Sequence, residues 1–275
     1  MKRIMLFMFL ATITLMMFTA CSDDDNNNVE PETFYGYTLD QFVPMDAISD
    51  LIVHNEDDTL DWRELFYFWP VATDGYSARM NSEKYDDLDW QNFAQGYYVP
   101  ENDNKVLFRQ FEEFHIGAYN VKFMDKVYVS RGVRSIINDT LSVVFELNAM
   151  TTEMIENYDA EMEAAITLTS FMPEHVTAMD SVSFIAIDGY KKTYTPAQFS
   201  DGYWLVDSQK TIFPIEGANM TGSLKKFKLL KSMQFFGDWQ NVDEYENPAW
   251  ADADEADWYF SFPEDLSDYI GTVLE

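Results

Sequence analysis

One thiol, three histidines and a large surplus of carboxylates make up the reactive side chains of this 275-residue chain. The thiol, Cys21, is the only cysteine and lies near the amino end. A single cysteine excludes an internal disulfide, and with Cys21 read as a lipid acceptor, as argued below, no free thiol is expected for thiolate catalysis. His54, His115 and His175 are scattered, with no histidine four residues on and no neighbouring cysteine. They read as isolated surface or strand-end residues rather than zinc ligands. No Gly-x-Ser-x-Gly elbow and no glycine-rich phosphate loop occurs. The 48 acidic residues are so numerous that closeness in sequence identifies no catalytic pair. A glycosidase pair assembled by folding stays open. Asp252-Ala253-Asp254-Glu255-Ala256-Asp257 lacks the glycine and spaced ligands of an EF-hand loop, and reads as a solvated acidic run. The expectation is a chain with no catalytic residues, no metal site and no cofactor, and with Cys21 as its one modified position.

The context of Cys21 supplies that modification. Met1-Lys2-Arg3 precedes an uncharged apolar run from Ile4 to Phe18. A short basic start followed by such a run is the pattern of a secretory signal, and the run is shorter than the roughly 20 residues that a membrane-spanning helix needs. Phe18-Thr19-Ala20-Cys21 resembles a lipobox, although Phe18 stands where leucine is usual. The resemblance implies cleavage before Cys21 and acylation of its sulfur, including palmitate. The alternative is a free thiol in an ordinary signal-peptide tail. Several acyl chains, at about 0.8 kcal/mol per buried methylene, make a stable anchor.

Ser22-Asp23-Asp24-Asp25-Asn26-Asn27-Asn28 is a solvated tether, because like charges repel and asparagines bury little. It is also similar to the acidic export signal of surface lipoproteins in the Bacteroides group. That similarity implies display on the outer face of the outer membrane. A plain spacer would imply only attachment within the envelope.

The whole chain carries a net charge of −30. Removing residues 1–20 takes away Lys2 and Arg3 and no acid, so the remainder is more acidic still. Nucleic-acid phosphate is bound by Lys and Arg, so nucleic acid is excluded as a partner. The acidity is read as solubility outside the cell, with weak cation binding as the alternative. Disorder is not expected, since 16% of residues are aromatic and 47% apolar.

The elements that would position a site fall into two similar stretches. Thr38-Leu39-Asp40-Gln41-Phe42-Val43-Pro44 parallels Thr167-Leu168-Thr169-Ser170-Phe171-Met172-Pro173. Val71-Ala72-Thr73-Asp74-Gly75-Tyr76 parallels Ile185-Ala186-Ile187-Asp188-Gly189-Tyr190, and later segments around Tyr97, Phe108 and Phe123 find counterparts around Tyr203, Phe213 and Leu229. Such ordered self-similarity points to an internal repeat; two unrelated units with common turn chemistry would be the alternative. Asp-Gly between apolar runs predicts hairpins, and Thr195-Pro196 predicts a capped helical turn. Met150, Met154, Tyr158, Met162 and Ile166 recur every four residues, which predicts an amphipathic helix with its stripe packed in the core; an adaptable methionine groove is the other reading.

The predicted fold class is α+β, two related strand-rich units in tandem joined by an amphipathic helix. The expected divisions are a signal peptide at 1–20, an acidic tether at 21–33, a first repeat at 34–137, a bridging strand and helix at 138–166, a second repeat at 167–237, and an acidic tail at 238–275. Trp239, Trp250 and Trp258 in that tail are expected to clip it back across the repeats.

The second repeat is similar to the β-rich unit of sulfite-oxidase-type molybdopterin oxidoreductases, through residues 182–190, Thr211-Ile212-Phe213-Pro214 and residues 224–233. In that family a cysteine thiolate ligates the molybdenum. Here the only cysteine is Cys21, so the resemblance implies at most a borrowed fold without the chemistry. The expected function is that of a lipid-anchored envelope protein, a binding or accessory lipoprotein at the outer-membrane surface. Its expected partners are the membrane, through the anchor, and an outer-membrane transporter or extracellular ligand. The alternative is a glycan-active or degenerate oxidoreductase-like enzyme.

Overall fold

The computed structural model describes residues 33–44, 46, 48, 60–78, 88–108, 119–139, 141–213, 227–240 and 258–274. Cys21, His54, His115, Trp250 and the acidic run at 252–257 lie outside the described residues. Among the described residues are fifteen strands in three sheets and two short α-helices, α1 (Trp90–Phe93) and α2 (Pro196–Ser200). The chain is therefore mostly β, which corrects the α+β expectation.

The largest sheet is built on β5 (Met124–Ile137). Its first half pairs antiparallel with β2 (Phe66–Ala72) on one side and β14 (Trp258–Phe260) on the other. Its second half pairs antiparallel with β6 (Leu141–Glu146) and parallel with β13 (Leu230–Trp239). Beyond β13 follow β9 (Val176–Ala186) and β10 (Lys191–Tyr194). Val127, Tyr128 and Val129 enter one apolar core, while Val133 and Ile137 enter a second. The strand crosses between them at Ser130, Arg131 and Gly132. Arg131 is buried there and donates to the carbonyls of Leu65 (3.2 Å), Leu230 (2.5 Å) and Gly132 and to Gln209 Oε1 (3.3 Å).

The two smaller sheets share one plan. In the first, β1 (Phe34–Thr38) lies between β15 (Gly271–Leu274) and β3 (Tyr97–Val99), with β4 (Lys105–Leu107) outside. In the second, β8 (Met162–Thr167) lies between β7 (Glu153–Glu156) and β11 (Tyr203–Leu205), with β12 (Lys210–Ile212) outside. Thr38 faces Tyr97 as Thr167 faces Tyr203. Leu39 N–H donates to Gly96 O at 3.0 Å, and Leu168 N–H to Gly202 O at 2.9 Å. After β2 and β9, Gly75 and Gly189 both take positive φ, and the carboxylates of Asp74 and Asp188 accept the N–H groups of Tyr76 and Tyr190. Phe123 and Leu229 both have φ 54°.

These parallel sets do not form two units with a helix between them. Phe34–Leu274 forms one compact unit, and β5 and β13 sit side by side in one sheet.

The predicted bridging helix is replaced by the β7–β8 hairpin. A four-residue spacing is an even number, so it places residues on one strand face as readily as on one helical stripe. Local and tertiary contacts decide between the two. Asn157 Oδ1 accepts the N–H groups of Asp159 (2.9 Å) and Glu161 (3.1 Å), and Ala160 takes φ 62°. This side chain-supported turn halts any helix, and β11 offers β8 a partner edge. Met154 and Met162 are 58% and 60% exposed, so core packing of the stripe is corrected as well; of its members only Ile166 is fully buried.

Residues 258–274 return to the first half of the chain. Phe262 stacks on Tyr98 at 4.0 Å, Tyr269 stacks on Phe42 at 4.6 Å, and the Gln41 side chain exchanges two hydrogen bonds with Ile270. Each aromatic pair adds about 0.5–1.5 kcal/mol beyond burial. In α2, Thr195 and Gln198 form a reciprocal capping box with Pro at the first turn.

Two stability effects follow. Arg131→Met removes the donor from several buried carbonyls, each costing about 1–3 kcal/mol when orphaned; equilibrium urea unfolding should show a loss of about 3 kcal/mol or more. At Gly202 an added Cβ would lie 2.4 Å from both Leu168 Cδ1 and Phe213 Cε1. Gly202→Ala should cost about 1–3 kcal/mol by overpacking, with Gly96→Ala close behind, read as lowered Tm in calorimetry.

Candidate functional site

A cleft of about 260 Å³ opens where β2, α1, β5 and β13 meet, lined by Glu64, Tyr67, Asp89, Trp90, Gln91, Arg134, Ile136, Lys231 and Ser232. Each wall is set by local chemistry. Asp61 caps the 3-10 turn Trp62–Leu65. Its Oδ1 accepts Arg63 Nε at 2.8 Å, and its Oδ2 accepts Arg63 Nη2 at 2.9 Å and Trp90 Nε1 at 3.0 Å. This fork–fork pair holds the guanidinium 4.0 Å above the Trp90 ring. The same turn carries Glu64 into the cleft.

Asp89 caps α1, its Oδ1 accepting Asn92 N–H at 3.0 Å. A bridge between Tyr67 and Asp89 pins this cap beside β2, which leaves Oδ2 to face Arg134 Nη2 at 3.4 Å. Lys231, on the parallel neighbour of β5, places Nζ 2.5 Å from Glu64 Oε2. The cleft thus holds two cations and two anions arranged as two pairs, each member about one-third exposed. Exposed pairs of this kind contribute about 0–1 kcal/mol each to folding, so their placement owes little to stability.

The four charges cancel within the cleft, which carries both donors and acceptors. Trp90 and Tyr67 are 7% and 6% exposed, and Arg63 occupies one face of the indole. The rings form a rigid wall rather than an open stacking platform. Glu64 and Asp89 both line the cleft, and each carboxylate already has a cation partner. A general acid must be free to deliver its proton to a leaving group. The arrangement is better suited to hydrogen-bonding a polar ligand.

None of these residues was singled out from sequence, because they come from four segments separated by up to 167 positions. The cluster Asp61-Trp62-Arg63-Glu64 was the one local signal, a dense charge pattern next to a fully buried strand. Of the positions the sequence did single out, His175 is half-buried, and its carbonyl accepts Gln240 N–H at 2.9 Å; it does not line the cleft. Trp239 packs against the second core and Trp258 against the first. Among the described residues no group of three or more His, Cys, Asp or Glu side chains could hold a metal ion.

No family model, curated protein or solved structure matches the chain.

Proposed function

We propose that the protein is a lipid-anchored envelope lipoprotein, displayed at the outer-membrane surface, that works by binding. The anchor reading rests on the uncharged run ending in Phe18-Thr19-Ala20-Cys21 and on the acidic tether behind it. The binding reading rests on one observation: both carboxylates of the cleft are committed to cations, Glu64 to Lys231 and Asp89 to Arg134. A net-neutral ligand rich in hydroxyl or amide groups, such as an uncharged oligosaccharide, matches a cleft that carries both donors and acceptors and no net charge. It would reach the site beside an outer-membrane transporter or directly from the medium. The presence of two carboxylates, Glu64 and Asp89, in one cleft beside Trp90 favours glycan hydrolysis as the second reading.

The anchor and the cleft are tested separately. Metabolic labelling with a palmitate analogue should mark the wild type and leave Cys21→Ala unmarked and soluble. Firm membrane attachment of that variant would overturn the anchor, and full protection of the protein from protease on intact cells would overturn surface display. For the cleft, indole fluorescence should change saturably with uncharged oligosaccharides. Arg134→Ala should weaken that binding about tenfold, as loss of a charged hydrogen-bond donor at about 1.5–3 kcal/mol predicts. Release of new reducing ends by the wild type, lost in Glu64→Gln, would replace binding with hydrolysis.

A further inference from the structure

A second, smaller cavity of about 150 Å³ lies on the third sheet, lined by Asn157, Tyr158, Asp159, Leu205, Ser208, Lys210 and Lys228. Lys210 and Lys228 face each other across an antiparallel bridge, so both side chains leave the same face. Like charges directly opposite on paired strands repel. Among the described residues neither ammonium has an acidic partner within 4.0 Å, although the chain carries 48 acids against 18 bases. Asp159 also lines the cavity, as an exposed residue.

The corresponding place in the first half shows how such a pair is otherwise neutralised. Val106 N–H donates to Val121 O as Thr211 N–H donates to Phe227 O, both at 2.8 Å. Phe123 N–H donates to Asp103 O as Leu229 N–H donates to Gln209 O. Lys105 and Lys122 therefore occupy the positions of Lys210 and Lys228. There Asp103 holds Lys122 at 3.1 Å. In the second half the carbonyl that meets Leu229 N–H belongs to Gln209, one position before Lys210 rather than two, and its uncharged side chain turns inward to Arg131 Nε and to Val206 O. The lysine pair loses its internal anion.

Besides the lysines and Asp159, the cavity presents uncharged polar groups. Ser208 Oγ is buried with no hydrogen-bond partner. The buried Glu163 fixes two neighbours from below: Oε1 accepts Ser208 N–H at 2.6 Å and Oε2 accepts Asn157 Nδ2 at 3.1 Å. Its oxygens are thereby taken up by the frame and not by the lysines. Burial pushes the Tyr158 phenol up, so that wall stays neutral.

We propose that this cavity binds a sulfate or phosphate group, free or as an ester on a larger ligand, through Lys210, Lys228 and Ser208. The site is independent of the cleft and of the anchor. Titration of the full chain followed by NMR tests it, with inorganic sulfate, inorganic phosphate and a sulfated monosaccharide as separate arms at ionic strength held constant with chloride. The Ser208 and Asn157 amide signals should shift saturably, and tighter binding in the sugar arm identifies an ester as the ligand. Lys210→Gln with Lys228→Gln should weaken binding about tenfold or more, while Lys105→Gln with Lys122→Gln should leave it unchanged. Shifts that grow linearly with every salt, or that persist in the first double variant, would overturn the proposal. If that variant does not fold, the wild-type titration decides alone: no saturation at Ser208 and Asn157 in any arm refutes the site.

Discussion

The backbone hydrogen bonds of one continuous 14-residue strand, β5, hold the two apolar cores in register. A strand interior has two edges, and both must be paired once buried. β5 meets this demand twice along its length, with β2 and β14 over its first half and with β6 and β13 over its second. Partners change at the crossing of the cores. There Gly132 leaves space for the Tyr67 ring, whose carbon atoms an added Cβ would meet at 2.7 Å. Arg131 spans the same crossing with donors to Leu65 on one side and Leu230 and Gln209 on the other. A buried guanidinium is costly unless its donors are met, so these carbonyls tie the two halves to one geometry.

Similarity between the halves makes their differences informative. The turns after β2 and β9, and the close approach of Gly96 and Gly202 to a Phe–Leu pair, recur with nearly the same distances. At these positions both halves carry the glycine that the backbone requires. Asp103 neutralises a lysine in the first half, and Gln209 is recruited to the central arginine in the second.

The larger cleft lies at that seam too. Arg134 and Lys231 come from the adjacent parallel strands β5 and β13, while Glu64 and Asp89 come from the capped turn and helix that flank β2. The cleft is therefore rigidly framed: caps orient the anions, and the sheet orients the cations. Preorganised, mutually paired charges of this kind suit recognition of polar groups at small entropic cost.

By itself, the sequence determined what depends on neighbours along the chain. The Asp-Gly turns at 74–75 and 188–189, the Thr195-Pro196 cap and the strands around Phe184 and Tyr203 are all specified within a few residues by φ preference, capping and alternation. One cysteine likewise rules out an internal disulfide without any structure. The segment from Met150 to Ile166 was not decidable in this way, because a spacing of four satisfies both a helix and a strand, and only the free edge of β11 and the Asn157 turn select the hairpin. The cleft was wholly a tertiary outcome. Glu64, Asp89, Arg134 and Lys231 carry no local signal of their pairing, since sheet order and not sequence distance decides which charges meet.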